Sequence, residues 1–295
     1  MMYDKDKLLL KIANAIVANI GNITRNGLLD GKTGVAFFLY MYARYSGIKF
    51  YSDVADDMLE RLLAVSHDRE AVDAKCGRTS VAIGLMQMAY NGFVEMEQDV
   101  FEDADKSILV ADYKLMELES SLDKPVYTQG IYLVKSLLYR NFVLDGTEVT
   151  RIVENIEKYM VKCVLEKTMP LKVSMADSFI YVLGVLLRRK LISRERYDGV
   201  LHMIKPFLPV GQLERSFFCG ALTDFKHDME TCGKYCNVKD RFSMLLSNIL
   251  YDNEKCQVSE ICECIDDFEL ALHDSYFERD IIYGQMAVVG INLLK

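Results

Sequence analysis

Residues 147–167, TEVTRIVENIEKYMVKCVLEK, put Val149, Ile152, Val153, Ile156, Tyr159, Met160 and Cys163 on one face of a helix, with charge behind them. Glu154 and Lys158 stand four apart on the wet side, a favourable helical pair. Residues 53–65 repeat the pattern with Val54, Met58, Leu62 and Val65, and residues 193–205 with Tyr197, Val200, Leu201 and Ile204. The segment LLLKIANAIVANI near the start also reads as helix. Between these lie runs with no charged face: VAFFLYMYA at 35–43, FIYVLGVLL at 179–187 and MAVVGINLL at 286–294. A helix apolar all round is buried on all sides. No alternating strand with a hairpin turn interrupts the series, so the pattern predicts an all-α chain.

Short polar or glycine-bearing motifs stand at or near the start of each buried run. They are DGKTG at 30–34, CGRTS at 76–80, TQG at 128–130, ADS at 176–178, CG at 219–220 and YGQ at 283–285. Their markers, Gly31, Gly77, Gly130, Ser178, Gly220 and Gly284, recur about every 50 residues, enough for two helices and their connectors. The longest gap leaves room for a further member around SMLLSNILY at 243–251. Helices as apolar as the buried type pack best on one another, with the last closing against the first. The expected fold is therefore a single-domain α/α toroid over residues 1–295, of about six to seven helical hairpins, with buried inner helices and amphipathic outer ones. No Gly/Ser/Pro-rich linker divides it.

Composition agrees with helix. The 295 residues are 51% hydrophobic and hold only 4 prolines. A net charge of −8 without a basic stripe argues against nucleic acid. The densest basic spot, RRK at 188–190, suits the end of a helix. The longest apolar run, near 173–187, holds Asp177 and is too short and polar to cross a membrane. MMYDKDKLLL lacks the features of a secretory leader. Most of the eight cysteines sit in apolar helical contexts, Cys163 among them, and read as small buried hydrophobes of a reducing, cytoplasmic setting.

GLLDGKT at 27–33 nearly spells a phosphate-binding loop. Only three residues separate Gly27 from Gly31, and a helix rather than a strand precedes them. The expectation is a turn: Gly34 packs it closely against a buried helix, Thr33 caps that helix, and Lys32 lies at the rim.

GLLDGKTGVAFFLYMYARYSG at 27–47 resembles the first repeat of the lanthionine synthetase C-like family, a glycine-rich turn entering an apolar helix. CGRTSVAIGLMQMAYNGFVE at 76–95 resembles the second, including its closing NGFVE, and IIYGQMAVVGINLL at 281–294 resembles the last. The resemblance implies an α/α toroid and thiol addition to dehydrated Ser or Thr in a peptide. In that family zinc, held by two cysteines and a histidine, makes the thiolate, and a second histidine handles protons. Cys219-Gly220 is similar to the cysteine followed closely by glycine in that family's fifth repeat. The chain has no Cys-His dipeptide, and Asp177-Ser178 stands where the family has His-Gly. The resemblance thus implies the fold without the zinc chemistry.

Other residues offer candidate chemistry. Cys219, His227, Cys232 and Cys236 form the one grouping with the right elements for zinc, at a spacing unlike the usual Cys-x2-Cys knuckles. Cys262 and Cys264 are two apart and do not face one another on a helix. His67, His202 and His273 lie outside the glycine turns and read as surface residues. Asp30 and Asp177 are the rim acids, weak candidates for carboxylate catalysis of the glycosidase kind. The acidic stretch EMEQDVFEDAD at 95–105 reads as a solvated loop and helix start, or as a dock for a basic peptide. The expectation is a peptide-binding or peptide-maturation accessory without metal, partnered by a peptide or protein. The alternatives are an enzyme on the same toroid, either a thioether cyclase with an altered site or a carboxylate hydrolase, and a helical interaction scaffold.

Overall fold

The computed structural model describes residues 4–29, 31–64, 77–109, 124–140, 146–166, 173–204 and 279–295. Among these there are ten α-helices and no strand. They are α1 (Lys5–Ala18), α2 (Lys32–Ser46), α3 (Lys49–Leu63), α4 (Arg78–Tyr90), α5 (Glu102–Ile108), α6 (Lys124–Tyr139), α7 (Gly146–Val164), α8 (Val173–Arg188), α9 (Arg194–Ile204) and α10 (Arg279–Leu294). The all-α expectation holds for them. The chain falls into two compact units, Met1–Met96 with Cys236–Lys295, and Glu97–Tyr235.

The two kinds of helix alternate as the sequence predicts. α7 buries all seven residues of its stripe, and Glu154 and Lys158 pair on its outside. α9 buries Tyr197 and Val200. α3 buries Met58 and Leu62 as expected, but Tyr51, Ala55 and Leu59 complete its face and Val54 is only half-buried. By contrast, every residue from Thr79 to Met88 in α4 is buried, as is every residue from Thr128 to Ser136 in α6 and from Phe179 to Leu186 in α8.

In the first unit α2 is the centre: α1, α3, α4 and α10 all pack on it. Asp4 caps α1, its carboxylate accepting from the amides of Asp6 and Lys7. Tyr42 and Tyr51 meet edge-on between α2 and α3, and the Tyr51 hydroxyl donates to Asn14 Oδ1 on α1. The NGFVE segment at 91–95, after α4, folds back on α2. There Phe93 stacks on Tyr40, meets Phe37 edge-on, and lies 3.9 Å under the Arg44 guanidinium. The C-terminal helix α10 presses Gly290 against Phe38 of α2, so closely that a Cβ at Gly290 would stand 2.2 Å from the ring.

In the second unit α6 packs on α7 and α8, and α9 packs on α7 and α8. Arg196 donates two hydrogen bonds to Glu157, at 2.6 and 2.8 Å, joining α9 to α7. Tyr159 and Phe179 meet edge-on between α7 and α8. Cys163 is buried, as its context predicts.

Three of the expected turn motifs are not turns. Gly130 of TQG, Ser178 of ADS and Gly284 of YGQ lie inside α6, α8 and α10. Gly130 is small because α8 crosses there: a Cβ on it would meet Val182 at 3.0 Å. Gly31 and Gly77, in contrast, are the N-caps of α2 and α4. No described helix is long and apolar enough to cross a membrane.

Candidate functional site

The strongest polar signals in the first unit gather where α2 and α4 begin. Each helix is entered through glycine, a basic residue and threonine, Gly-Lys-Thr at 31–33 and Gly-Arg-Thr at 77–79. The two starts are neighbours. The Leu28 amide donates to Ser80 Oγ at 3.2 Å, and a Cβ on Gly84 of α4 would meet Thr33 Cγ2 at 2.2 Å.

The first start is closed by its own loop. The amides of Lys32, Thr33 and Gly34 donate to the carbonyls of Arg25, Asn26 and Gly27 at 3.0, 3.3 and 3.4 Å. A phosphate-binding loop needs such amides free, so the turn reading of GLLDGKT is correct for a further reason. Gly34 packs closely, as expected: a Cβ on it would stand 1.9 Å from the Leu28 carbonyl oxygen. Thr33 does not cap the helix. It is already the second helical residue, fully buried, and its hydroxyl donates to the Asn26 carbonyl at 2.5 Å.

The second start differs. Ser80 Oγ donates to the Gly77 carbonyl at 2.7 Å. Thr79 is fully buried, and its hydroxyl has no hydrogen-bond partner among the described residues. The Nε of Arg78 is likewise buried and without a partner among them. Arg78 and Lys32 are half-buried first residues of their helices, where a cation opposes the helix dipole. Sequence reasoning did not single out Arg78 and Thr79. The available signal was a basic residue directly after the capping glycine, twice.

Among the described residues of the second unit, two buried polar groups matter here. In one, Arg140 donates to both Asp105 oxygens at 2.8 and 2.9 Å, and the Tyr132 hydroxyl donates to the same carboxylate at 2.7 Å. The Arg140 guanidinium also lies 4.5 Å from the Phe101 ring centre. Burial first, then the Asp105 carboxylate, pushes the Tyr132 phenol far above its ordinary range. This network locks the acidic segment onto α6. It is structural, and it removes Asp105 from any docking surface, while Asp99, Glu102 and Asp103 remain exposed. In the other group, Lys135 of α6 is fully buried. Its ammonium donates to Tyr139 Oη at 3.3 Å and lies 6.0 Å from the Tyr181 ring on α8.

Of the sequence candidates, Asp177 lies in the second turn of α8, four residues before Tyr181, and not in a turn ahead of the helix as expected. Asp30, Cys219, His227, Cys232 and Cys236 lie outside the described residues, as do His67, His273, Cys262 and Cys264. His202 is exposed on α9. Among the described residues no three His, Cys, Asp or Glu side chains gather as a metal site would need. No family model matches the chain, and no curated protein or solved structure matches it.

Proposed function

We propose that this chain is a divergent lanthionine synthetase C-like toroid that binds a peptide at the starts of its inner helices, as an accessory rather than as a zinc cyclase. The observation that carries the reading is the seat of α10 on α2. A closed ring needs its last inner helix beside its first, and an open stack of repeats does not. Two further facts support it. The segments that resemble the first and second repeats pack on each other through Leu28 and Ser80, and again through Phe93 and Arg44. The twin starts also offer Lys32 and Arg78 with no ion pair among the described residues, at a place where neither stabilises its helix.

The test has two parts. Zinc is measured per chain by elemental mass spectrometry on untagged protein. Affinity selection of displayed random peptides against the full chain is followed by fluorescence anisotropy on the synthetic winners. The reading expects well under one zinc per chain, an enriched peptide class that binds saturably, and no thioether formed from a dehydroalanine peptide carrying cysteine. Near-stoichiometric zinc lost on replacing Cys219 or Cys232 with Ser, together with thiol addition, would overturn it in favour of the cyclase. Selection that enriches nothing would leave a scaffold for another protein. An enzyme using carboxylates, with Asp177 and Asp30 as the acids, is the second reading. Turnover abolished by Asp177→Asn with the fold kept would establish it.

A further inference from the structure

We infer that the start of α4 is a built oxyanion site, and that it takes a carboxylate. The carboxylate's source, a peptide's C-terminus or acidic side chain, rests on the peptide-binding reading; the site itself does not.

Four observations converge. The first amides of any helix lack an intrahelical acceptor. At α2 those amides are spent on the carbonyls of Arg25, Asn26 and Gly27. At α4 the amides of Arg78 and Thr79 have no such loop partner among the described residues, and Gly77 supplies no side-chain cap. Second, Thr79 is fully buried with an unpartnered hydroxyl. As the second residue of the helix its Cα–Cβ bond tilts back toward the N-terminus. A buried hydroxyl left unmade costs more than its bond would have gained, and a ligand oxygen at the helix start would complete it. Third, Arg78 has a buried, unpartnered Nε and no ion pair among the described residues. Fourth, a guanidinium at a helix N-terminus works against the dipole unless an anion lies between them.

A carboxylate fits this donor set. Its two oxygens match the fork of a guanidinium, and the hydroxyl and amides serve its remaining lone pairs. A nucleotide fits less well, because no glycine-rich loop wraps the site and the neighbouring helix start has no amide to give. A cation is excluded by the arginine itself.

The probes are N-acetylglycine, its neutral amide N-acetylglycinamide, and inorganic phosphate. Each is titrated into the full chain at constant ionic strength, and the melting temperature is followed. N-acetylglycine is expected to raise it saturably, and N-acetylglycinamide is not. Arg78→Gln should weaken the response by at least about tenfold, while Lys158→Gln, in an exposed pair on α7, should leave it intact. Thr79→Val gives the sharper result. Without ligand it should melt at the same temperature or higher, since an unpartnered hydroxyl has been removed, and it should lose the response to N-acetylglycine. No structural role and no general salt effect produces that combination.

A shift that persists in both Arg78→Gln and Thr79→Val, or no saturable shift at all, would overturn the site. A tighter response to phosphate than to N-acetylglycine would overturn the carboxylate assignment and make the ligand a phosphorylated one. A site that binds N-acetylglycine in a protein that selects no peptide would stand, while the peptide-binding reading would fall. Selected peptides that bind Arg78→Gln as well as the native chain would do the reverse.

Discussion

Replacing Gly290 with Ala separates two physical effects of opposite sign. Gly290 lies inside α10, where alanine is intrinsically better than glycine by about 1 kcal/mol. If α10 were exposed there, the substitution would stabilise the protein. The structure sets the opposite expectation. The new Cβ would stand 2.2 Å from Phe38 Cε2, 2.6 Å from Cδ2 and 2.9 Å from Cζ, whereas carbons rest comfortably at about 3.5–4.0 Å. The ring would have to retreat by more than about 1 Å. It has little room, being fully buried and stacked on Tyr42 with ring centres 5.9 Å apart. Overpacking of this kind costs about 1–3 kcal/mol, so after a helical gain of about 1 kcal/mol the net expectation is a loss centred on about 1 kcal/mol. Urea unfolding followed by far-ultraviolet dichroism should show the midpoint fall by about 0.5 M. Phe38→Leu supplies the control. Alone it leaves a cavity and destabilises; combined with Gly290→Ala it makes room for the methyl group, and the pair should couple by about 1 kcal/mol or more. A raised midpoint for Gly290→Ala, or strict additivity with Phe38→Leu, would refute the seating of α10 on α2. With it would go the main support for a closed ring.

Three further outcomes follow from the packing. Arg140→Met leaves the mostly buried Asp105 without its cation and should cost about 3 kcal/mol by urea titration, with Arg140→Met/Asp105→Leu recovering much of it. Tyr132 is held protonated in the fold above the ordinary tyrosine value of about 10. Its contribution is therefore full below pH 10 and lost as pH rises beyond it, so stability should fall above pH 10, and Tyr132→Phe should flatten part of that fall. Ser80→Ala strips the buried Leu28 amide of its acceptor; it should cost about 1–3 kcal/mol and raise hydrogen exchange at Leu28 and its loop above that of α3.

How far the sequence revealed this arrangement depended on what each signal can encode. The stripe of α7 was fully legible, because seven apolar residues at helical period leave one way to bury them. α3 was legible in type but not in detail. Its face is completed by Tyr51, Ala55 and Leu59, and Tyr51 faces both α2, through Tyr42, and α1, through Asn14. Glycine misled at TQG and YGQ. The residue marks both a turn and a close helix crossing, and nothing local distinguishes Gly31, a cap, from Gly130, a contact with Val182. Lys135 was missed for a similar reason. Within GIYLVKSLLY one lysine reads as the wet edge of an apolar helix, and only the packing of α8 on α6 shows that the helix has no wet edge there. The network of Asp105, Tyr132 and Arg140 spans 35 residues of sequence, beyond any local pattern.

The twin turns show how little sequence separates a closed helix start from an open one. Both present glycine, a basic residue and threonine, so any account from those three letters predicts equal behaviour. The fourth letter differs. Gly34 has no Cβ, and that lets the Leu28 carbonyl and the loop before it lie against the first turn of α2, where their neighbours take up the amides. Ser80 stands at the corresponding place in α4. Its hydroxyl turns back to the Gly77 carbonyl and holds the Leu28 amide, anchoring the first loop while bringing no carbonyl to the amides of Arg78 and Thr79. One serine therefore both completes the closed start and keeps the open one open. On this reasoning the functional asymmetry of the pair resides in positions 34 and 80, and a basic residue at each N-terminus acquires a ligand only where the amides behind it are still free.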